Sequence, residues 1–240
     1  MTEFLFRDDA YLDCAQATVL FISDEGGIIF DKTVFYPNSG GQAGDSGEIS
    51  WEGGNSCLIE NTVKAPDGHV MLLPIKDANI PSVGMMCKQN LNWEKRYRHM
   101  RMHTALHLLS VVIPLPVTGG QITSEKGRLD FDMPNAPEDK QVLEDELNNL
   151  IASDYSVTTS WISDDELLQK PNLVKTMSVK PPMGTGKVRL IQIGSENKII
   201  DLQPCGGTHV LKTSEIGPIT FGKIEKKGRQ NRRVSIRLSY

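Results

Sequence analysis

The chain has 240 residues, with 26 lysines and arginines against 30 aspartates and glutamates, for a formal net charge of −4. Its 39% hydrophobic and 23% charged side chains are ordinary for a globular fold, and no apolar run approaches the roughly 20 residues that span a bilayer. The opening Met1-Thr-Glu-Phe-Leu-Phe-Arg-Asp-Asp9 lacks the features of an export signal, and the cysteines at 14, 57, 87 and 205 are too irregular for a disulfide framework, so free thiols in the cytoplasm are expected.

The first 88 residues read as short strands cut by turns. Ala15–Ile22, Gly27–Phe35, Gly47–Trp51, Cys57–Val63 and His69–Pro74 are rich in β-formers. Between them lie Asp24-Glu-Gly-Gly27, Pro37-Asn-Ser-Gly-Gly41, Glu52-Gly-Gly-Asn55 and Ala65-Pro-Asp-Gly68, all turn chemistry. Closely spaced strands without helices predict a small antiparallel barrel.

The character changes in Pro81–Asn90, which divides the chain into expected domains 1–88 and 89–240. A long helical pattern runs from Asn92, a suitable N-cap, to Ile113, with Pro114 as its stop. A strand is expected at Gly127–Met133. A second helix, with Pro137 in its first turn, should reach Ala152 and bury Val142, Leu143, Leu147, Leu150 and Ile151. Ser163-Asp-Asp-Glu166 has the capping-box form for a short helix ending before Pro171. Further strands are expected at Val157–Trp161, Lys187–Ile193, Lys198–Leu202, Ile219–Glu225 and Val234–Tyr240. The order predicts an α+β fold, a barrel followed by a two-layer domain with a helix against an antiparallel sheet.

Charge is unevenly spread. Residues 1–88 carry 5 basic and 13 acidic side chains, and the remainder 21 and 17. The excess concentrates at Lys223, Lys226, Lys227, Arg229, Arg232, Arg233 and Arg237, opposed only by Glu225. This run is either a field for a polyanion or a solvated hairpin.

Chemistry concentrates in two phrases. His103-Thr-Ala-Leu-His107 puts two imidazoles on one helix face, and Cys205-Gly-Gly-Thr-His209 supplies a thiol and a third imidazole, its glycines permitting a positive φ that lets the two converge. Three of the five histidines lie in these phrases. Three nitrogens and one sulfur suit one zinc ion better than magnesium or calcium. Position 104 is Thr, so the glutamate base of a metalloprotease is missing. Spacing alone leaves a structural and a catalytic zinc equally open.

The surrounding residues resemble the editing domain of alanyl-tRNA synthetases and their freestanding AlaX relatives. Arg98-His-Met-Arg-Met-His-Thr-Ala-Leu-His-Leu-Leu109, Gly127-Arg-Leu-Asp-Phe-Asp132, Cys205-Gly-Gly-Thr-His-Val210 and Thr213-Ser-Glu-Ile-Gly-Pro-Ile219 are similar to its motifs. Thr33-Val-Phe-Tyr-Pro-Asn-Ser-Gly-Gly-Gln-Ala-Gly-Asp-Ser-Gly47 is similar to the GGQ segment of the barrel preceding that domain. The resemblance implies a medium-length, standalone member without an aminoacylation core, zinc on His103, His107, Cys205 and His209, and hydrolysis of mischarged tRNA(Ala). The expected substrate is chiefly Ser-tRNA(Ala), with Gly-tRNA(Ala) second and Ala-tRNA(Ala) spared. Neither a membrane nor an obligate protein partner is implied.

Thr104, Thr118 and Gln121 are candidates to read the serine hydroxyl, although Thr118-Gly-Gly equally forms a plain turn. Gly40, Gly41 and Gln42 either approach the substrate or close a hairpin, with Asp45 fixing that turn. Arg96, Arg98, His99 and Arg101 are candidates for the acceptor stem, and Lys226, Lys227, Arg229, Arg232 and Arg233 for phosphates elsewhere; ordinary solvated charge is the other reading. Two further functions fit the pattern: a threonyl-tRNA synthetase-type editing module, and a non-catalytic tRNA-binding module with structural zinc.

Overall fold

A computed structural model describes residues 2–137, 139–176 and 186–239. The chain forms two compact units, Met1–Tyr97 and Arg98–Tyr240. Among the described residues no helix is long and apolar enough to cross a membrane.

The first unit contains β1 (Glu3–Phe4), β2 (Cys14–Ile22), β3 (Ile28–Phe30), β4 (Lys32–Thr33), β5 (Gly47–Trp51), β6 (Asn55–Lys64), β7 (Val70–Pro74) and β8 (Met86–Leu91). Six of these close the expected antiparallel barrel in the order β2-β3-β7-β6-β5-β8, while β1 and β4 pair in parallel. The alternation of each strand fills the interior with Ala17, Val19, Ile28, Phe30, Ile49, Cys57, Ile59, Val70, Leu72, Cys87 and Leu91. The closing strand β8 was not foreseen. Its inward set, Cys87, Gln89 and Leu91, contains an amide that reads as solvent-facing. Gln89 is buried because its Oε1 accepts from Thr33 Oγ1 (2.9 Å) and Val34 N (3.2 Å) and its Nε2 donates to Lys32 O (3.0 Å).

Ser39-Gly-Gly-Gln42 is a two-residue hairpin turn. Ser39 and Gln42 exchange backbone hydrogen bonds of 3.0 and 2.9 Å across Gly40 (φ 57°) and Gly41 (φ 85°).

The second unit takes most of α1 (Trp93–Val112) and contains β9 (Val117–Ile122), β10 (Lys126–Asp132), α2 (Lys140–Ala152), β11 (Val157–Ser163), α3 (Asp164–Gln169), β12 (Lys187–Ser195), β13 (Lys198–Pro204), β14 (Ile219–Phe221), β15 (Glu225–Lys226) and β16 (Asn231–Leu238). Its strands form two sheets: β14-β16-β10-β9, with β15 also on β16, and β11-β12-β13. Lys95 N donates to Asn92 Oδ1 (3.0 Å), the expected cap of α1. From His99 to Ser110 every residue of α1 but Arg101 is buried. A Cβ on Gly127 would meet Met102 Sδ at 2.5 Å, so this glycine lets β10 lie against the helix.

Several sequence expectations shift. Val117–Ile122 is a strand, so Thr118-Gly-Gly is not a turn. Pro137 precedes α2, whose N-cap is Asp139, accepting from Gln141 N at 2.8 Å. Leu147 and Ile151 are buried, Leu143 and Leu150 half-buried, and Val142 is 57% exposed. The helix leans only two side chains into the core because its Glu144 and Asn148 serve the edge strand β14. Asn148 exchanges hydrogen bonds of 2.8 and 2.9 Å with Ile219, and Glu144 accepts from Phe221 N at 2.7 Å. The Ser163–Glu166 capping box forms as expected. Tyr240, the expected end of the last strand, lies outside the described residues.

Candidate metal centre

Two stretches about a hundred residues apart meet in the Arg98–Tyr240 unit. α1 presents His103 and His107 one turn apart, and the loop after β13 brings Cys205 and His209. One nitrogen from each imidazole and the sulfur all lie within 4.8 Å of one another. Cys205 Sγ stands 3.4 Å from His103 Nε2 and 3.3 Å from His209 Nε2.

The loop is shaped differently from the glycine argument. Neither Gly206 nor Gly207 takes a positive φ. Arg189 in β12 holds the turn instead, its Nη1 donating to Gly207 O (2.7 Å) and Cys205 O (3.2 Å), while Cys205 N donates to Arg189 O (3.0 Å). Arg189 is buried, and one guanidinium fork satisfies two carbonyls that the turn would otherwise strand.

Each of two imidazoles is oriented from behind. Thr104 Oγ1 donates to Met100 O (3.0 Å), and its oxygen accepts from Val210 N (3.3 Å) and lies 3.1 Å from His209 Nδ1. With the hydroxyl proton committed to Met100, the His209 Nδ1–H is the donor, which leaves the Nε2 lone pair facing the sulfur. His107 Nδ1 lies 2.9 Å from Asp201 Oδ2, which also accepts from Gln203 Nε2 (2.8 Å), and Lys175 Nζ reaches the other oxygen at 2.5 Å. This carboxylate fixes the second tautomer in the same sense.

Burial and the neighbouring charges set the electrostatics of the cluster. Burial works against the Cys205 thiolate, yet the His103 and His209 imidazoles outweigh it and hold the thiol well below its ordinary range. Burial and the neighbouring His103 push His209 well below the usual imidazole value, so it stays neutral. Burial would lower His107 too, but Asp201 and the Cys205 sulfur raise it to about 9. Burial would raise Asp201, whereas His107 and Lys175 bring it to about 2. A thiolate and three imidazoles with an ionised carboxylate behind them form a donor set for a borderline-soft divalent cation.

Comparison with known proteins places this geometry. The family model "Threonyl and Alanyl tRNA synthetase second additional domain" matches residues 188–235, and "tRNA synthetases class II (A)" matches residues 13–95. The "Alanyl-tRNA editing protein AlaX-M" of Methanosarcina barkeri is 32% identical over 98% of both chains. The protein of that name from Saccharolobus solfataricus is 31% identical over 98% of both. The chain belongs to the AlaX family. It also aligns over 94% of its length with a quarter of the alanine–tRNA ligase of Pyrobaculum neutrophilum, at 30% identity.

Within this AlaX-family chain the other sequence-derived candidates scatter. Thr104 is fully buried and spent on Met100, Val210 and His209, so it backs the His209 ring within the fold. Thr118, half-buried on β9, donates to Asp130 O (3.1 Å) and lies 3.2 Å from Asn231 Oδ1; Gln121 is exposed and accepts from Arg128 Nε at 3.1 Å. Gly40 and Gly41 are the hairpin turn, and the Gln42 side chain is buried in the barrel unit. Gly44 follows because a Cβ there would stand 2.2 Å from Thr62 O.

Arg96, expected at an RNA surface, is fully buried, because Asp45 and the carbonyls of Ala10 and Val34 accept hydrogen bonds from its guanidinium in place of solvent. Arg98 is half-buried and His99 buried. Arg101 directs Nε and Nη2 at Ile216 O (2.9 and 2.7 Å), an anchor within the fold. Lys226, Lys227 and Arg229 are exposed, and Arg232 and Arg233 half-buried.

Sequence reading missed Asp201, Gln203, Lys175 and Arg189. A signal existed for two of them. Asp201 and Gln203 share one face of β13, and Cys205 is the next alternate position just past its end, so their direction toward Cys205 was readable from the spacing.

Proposed function

We propose that this chain is a trans-editing hydrolase that cleaves the ester joining a wrong amino acid to tRNA(Ala), chiefly serine and secondarily glycine, while sparing alanine. It acts in the cytoplasm, without an obligate protein partner, using one zinc ion held by His103, His107, Cys205 and His209. The observation that carries this is the four-donor cluster in a chain similar, end to end, to alanyl-tRNA editing proteins.

The residues fit zinc. Tetrahedral Zn–N and Zn–S bonds separate neighbouring donor atoms by about 3.3–3.6 Å, close to the 3.4 and 3.3 Å between Cys205 Sγ and its two histidines. Bound there, zinc supplies Lewis acidity toward a carbonyl or water, or a hold on the substrate's amine or hydroxyl. The chain's own residues do the positioning: Thr104 and Asp201 set the imidazole tautomers, and Arg189 fixes the turn that carries the thiolate. An aminoacyl ester is already activated, so orientation supplies much of the rate.

Sparing alanine requires reading one hydroxyl. A site with a polar group committed to that hydroxyl rejects the analogue lacking it far more strongly than an apolar pocket does. Thr118, on the strand after α1, is our candidate reader, with Gln121 on the same strand. The purified protein should deacylate Ser-tRNA(Ala) at least about 100-fold faster than Ala-tRNA(Ala), with Gly-tRNA(Ala) between. Absence of turnover on all three sinks the proposal, and preference for mischarged tRNA(Thr) reassigns it.

Replacement Asp201→Asn removes the carboxylate behind His107 while keeping the shape of the side chain. Zinc affinity, read by chelator competition, should weaken about 10- to 100-fold. An unchanged affinity shows that Asp201 does not orient the ligand.

A further inference from the structure

The sheet β14-β16-β10-β9 carries a concentration of charge that the fold does not use. Lys126–Asp132 and Lys223–Arg237 together hold nine cations against three acids, Asp130, Asp132 and Glu225. Two of the acids are already taken. Asp130 accepts from Arg233 Nε (2.7 Å) and Nη2 (2.8 Å) and from Arg128 Nη1 (2.9 Å), and Glu225 pairs with Lys227 at 2.8 Å. Lys126, Lys223, Lys226, Arg229, Arg232 and Arg237 form no ion pair among the described residues. Arg232 donates only to the neutral carbonyls of Asn231 (3.1 Å) and Pro134 (2.6 Å).

The register makes this more than a solvated run. Lys126 stands directly opposite Arg237, and Lys226 directly opposite Arg232. Residues paired across antiparallel strands place their Cβ atoms only about 5 Å apart, and like charges there destabilise the sheet. Arg237 has Thr220 on its other side, which cannot neutralise it. The hairpin between β15 and β16 is held by Lys227 N donating to Asn231 O (2.9 Å) and by Gly228 at φ 99°, so Arg229 is projected from a closed turn. Arg232 and Arg237 are an odd number of residues apart on β16, so the Lys226–Arg232 pair and the Lys126–Arg237 pair project from opposite faces of the sheet, and only the first lies beside Arg229 at the hairpin end. The Lys226–Arg232 pair, fixed by backbone register and joined by Arg229, costs stability unless an anion sits across it.

From this we infer that the hairpin end of the β15–β16 ribbon is the docking surface for the phosphate backbone of the tRNA substrate. Lys226, Arg229 and Arg232 are its contacts, while Arg233 is held by Asp130 as a structural member. The inference rests on the tRNA-editing reading above. It also separates the cations that the sequence grouped together. Arg96 and Arg101 are consumed within the fold, and the ribbon is where unneutralised charge remains. Contacts of this type fix register on the nucleic acid without reading bases.

The test uses the full-length protein and uncharged tRNA(Ala), with affinity measured between 50 and 200 mM salt. The triple variant Lys226→Gln/Arg229→Gln/Arg232→Gln alters three side chains that form no ion pair among the described residues. Each lost phosphate contact should reduce the slope of log affinity against log salt by about 0.7–0.9, or about 2–3 for the triple. At 100 mM salt the affinity should fall at least 10-fold. With Ser-tRNA(Ala), KM should rise by a similar factor while kcat at saturation stays within about twofold. The conservative Lys226→Arg/Arg229→Lys/Arg232→Lys should restore affinity, and Lys198→Glu, on the other sheet, should leave the slope unchanged.

A triple variant that keeps the wild-type slope and affinity overturns the ribbon assignment alone. A wild-type protein that neither binds nor deacylates tRNA overturns the functional reading beneath it. A salt slope that falls equally for Lys198→Glu shows diffuse charge and likewise refutes a defined surface.

Discussion

Cys205→Ala should abolish zinc retention and lower Ser-tRNA(Ala) deacylation by at least about 1,000-fold, or about 4 kcal/mol of transition-state stabilisation. The sulfur is the single anionic donor among the four. Its thiolate persists in a buried position because His103 and His209 flank it, and it is the atom from which both histidines stand within 3.4 Å. Removing it leaves three imidazoles and no anionic donor around the space, with Arg189 still holding the turn. Zinc content by mass spectrometry under native conditions and single-turnover deacylation are the two readouts. Chelation of the wild-type protein should reproduce the loss, and added zinc should reverse it, which separates loss of the metal from loss of the fold. A Cys205→Ala protein retaining a tenth of the wild-type rate refutes a zinc-dependent reaction at this centre.

The donor set was legible because it rests on two short, rigid spacings. An i, i+4 pair on a helix and a thiol four residues from an imidazole fix side-chain directions whatever the remainder of the fold does. The barrel was legible for a similar reason: turn residues and β-branched runs alternate at short range. Long-range partners were not legible. Nothing near Arg96 in sequence announces Asp45, and Arg96, Arg98 and Arg101 look alike as helix cations until one is placed in a core. β8 and β9 were hidden by Gln89 and by Gly119-Gly120, residues whose intrinsic preferences point away from a strand. In both, tertiary context overrides local propensity: a hydrogen-bond network admits the amide, and close packing against Leu129, 3.1 Å from a Cβ built on Gly120, favours a small residue. The basic run was visible in composition, but only the register distinguishes Arg233, clamped on Asp130, from Arg232 and Arg237.

Breaking the Arg96–Asp45 pair should be the most destabilising single change in the barrel unit. Arg96, in the first turns of α1, is fully buried and donates through Nε to Asp45 Oδ2 (2.9 Å), through Nη1 to Ala10 O (3.0 Å) and through Nη2 to Val34 O (2.5 Å) and Asp45. Asp45 in turn accepts from Tyr36 N (2.7 Å), and its carbonyl accepts from Thr62 Oγ1 (2.9 Å). One ion pair therefore ties the segment after the hairpin turn to three other stretches of chain. Arg96→Met leaves a buried carboxylate uncompensated, at a cost of about 3–5 kcal/mol. In thermal unfolding this should appear as a fall of about 10 °C in the transition that includes the barrel. Asp45→Asn strands the guanidinium instead and should cost a comparable amount. The double variant should be less damaging than the sum of the singles by at least about 2 kcal/mol, because the second change removes the charge that the first left unpaired. Additive losses would mean that the two side chains act independently, and an Arg96→Met protein melting within about 1 °C of wild type would show that the pair does not hold the barrel together.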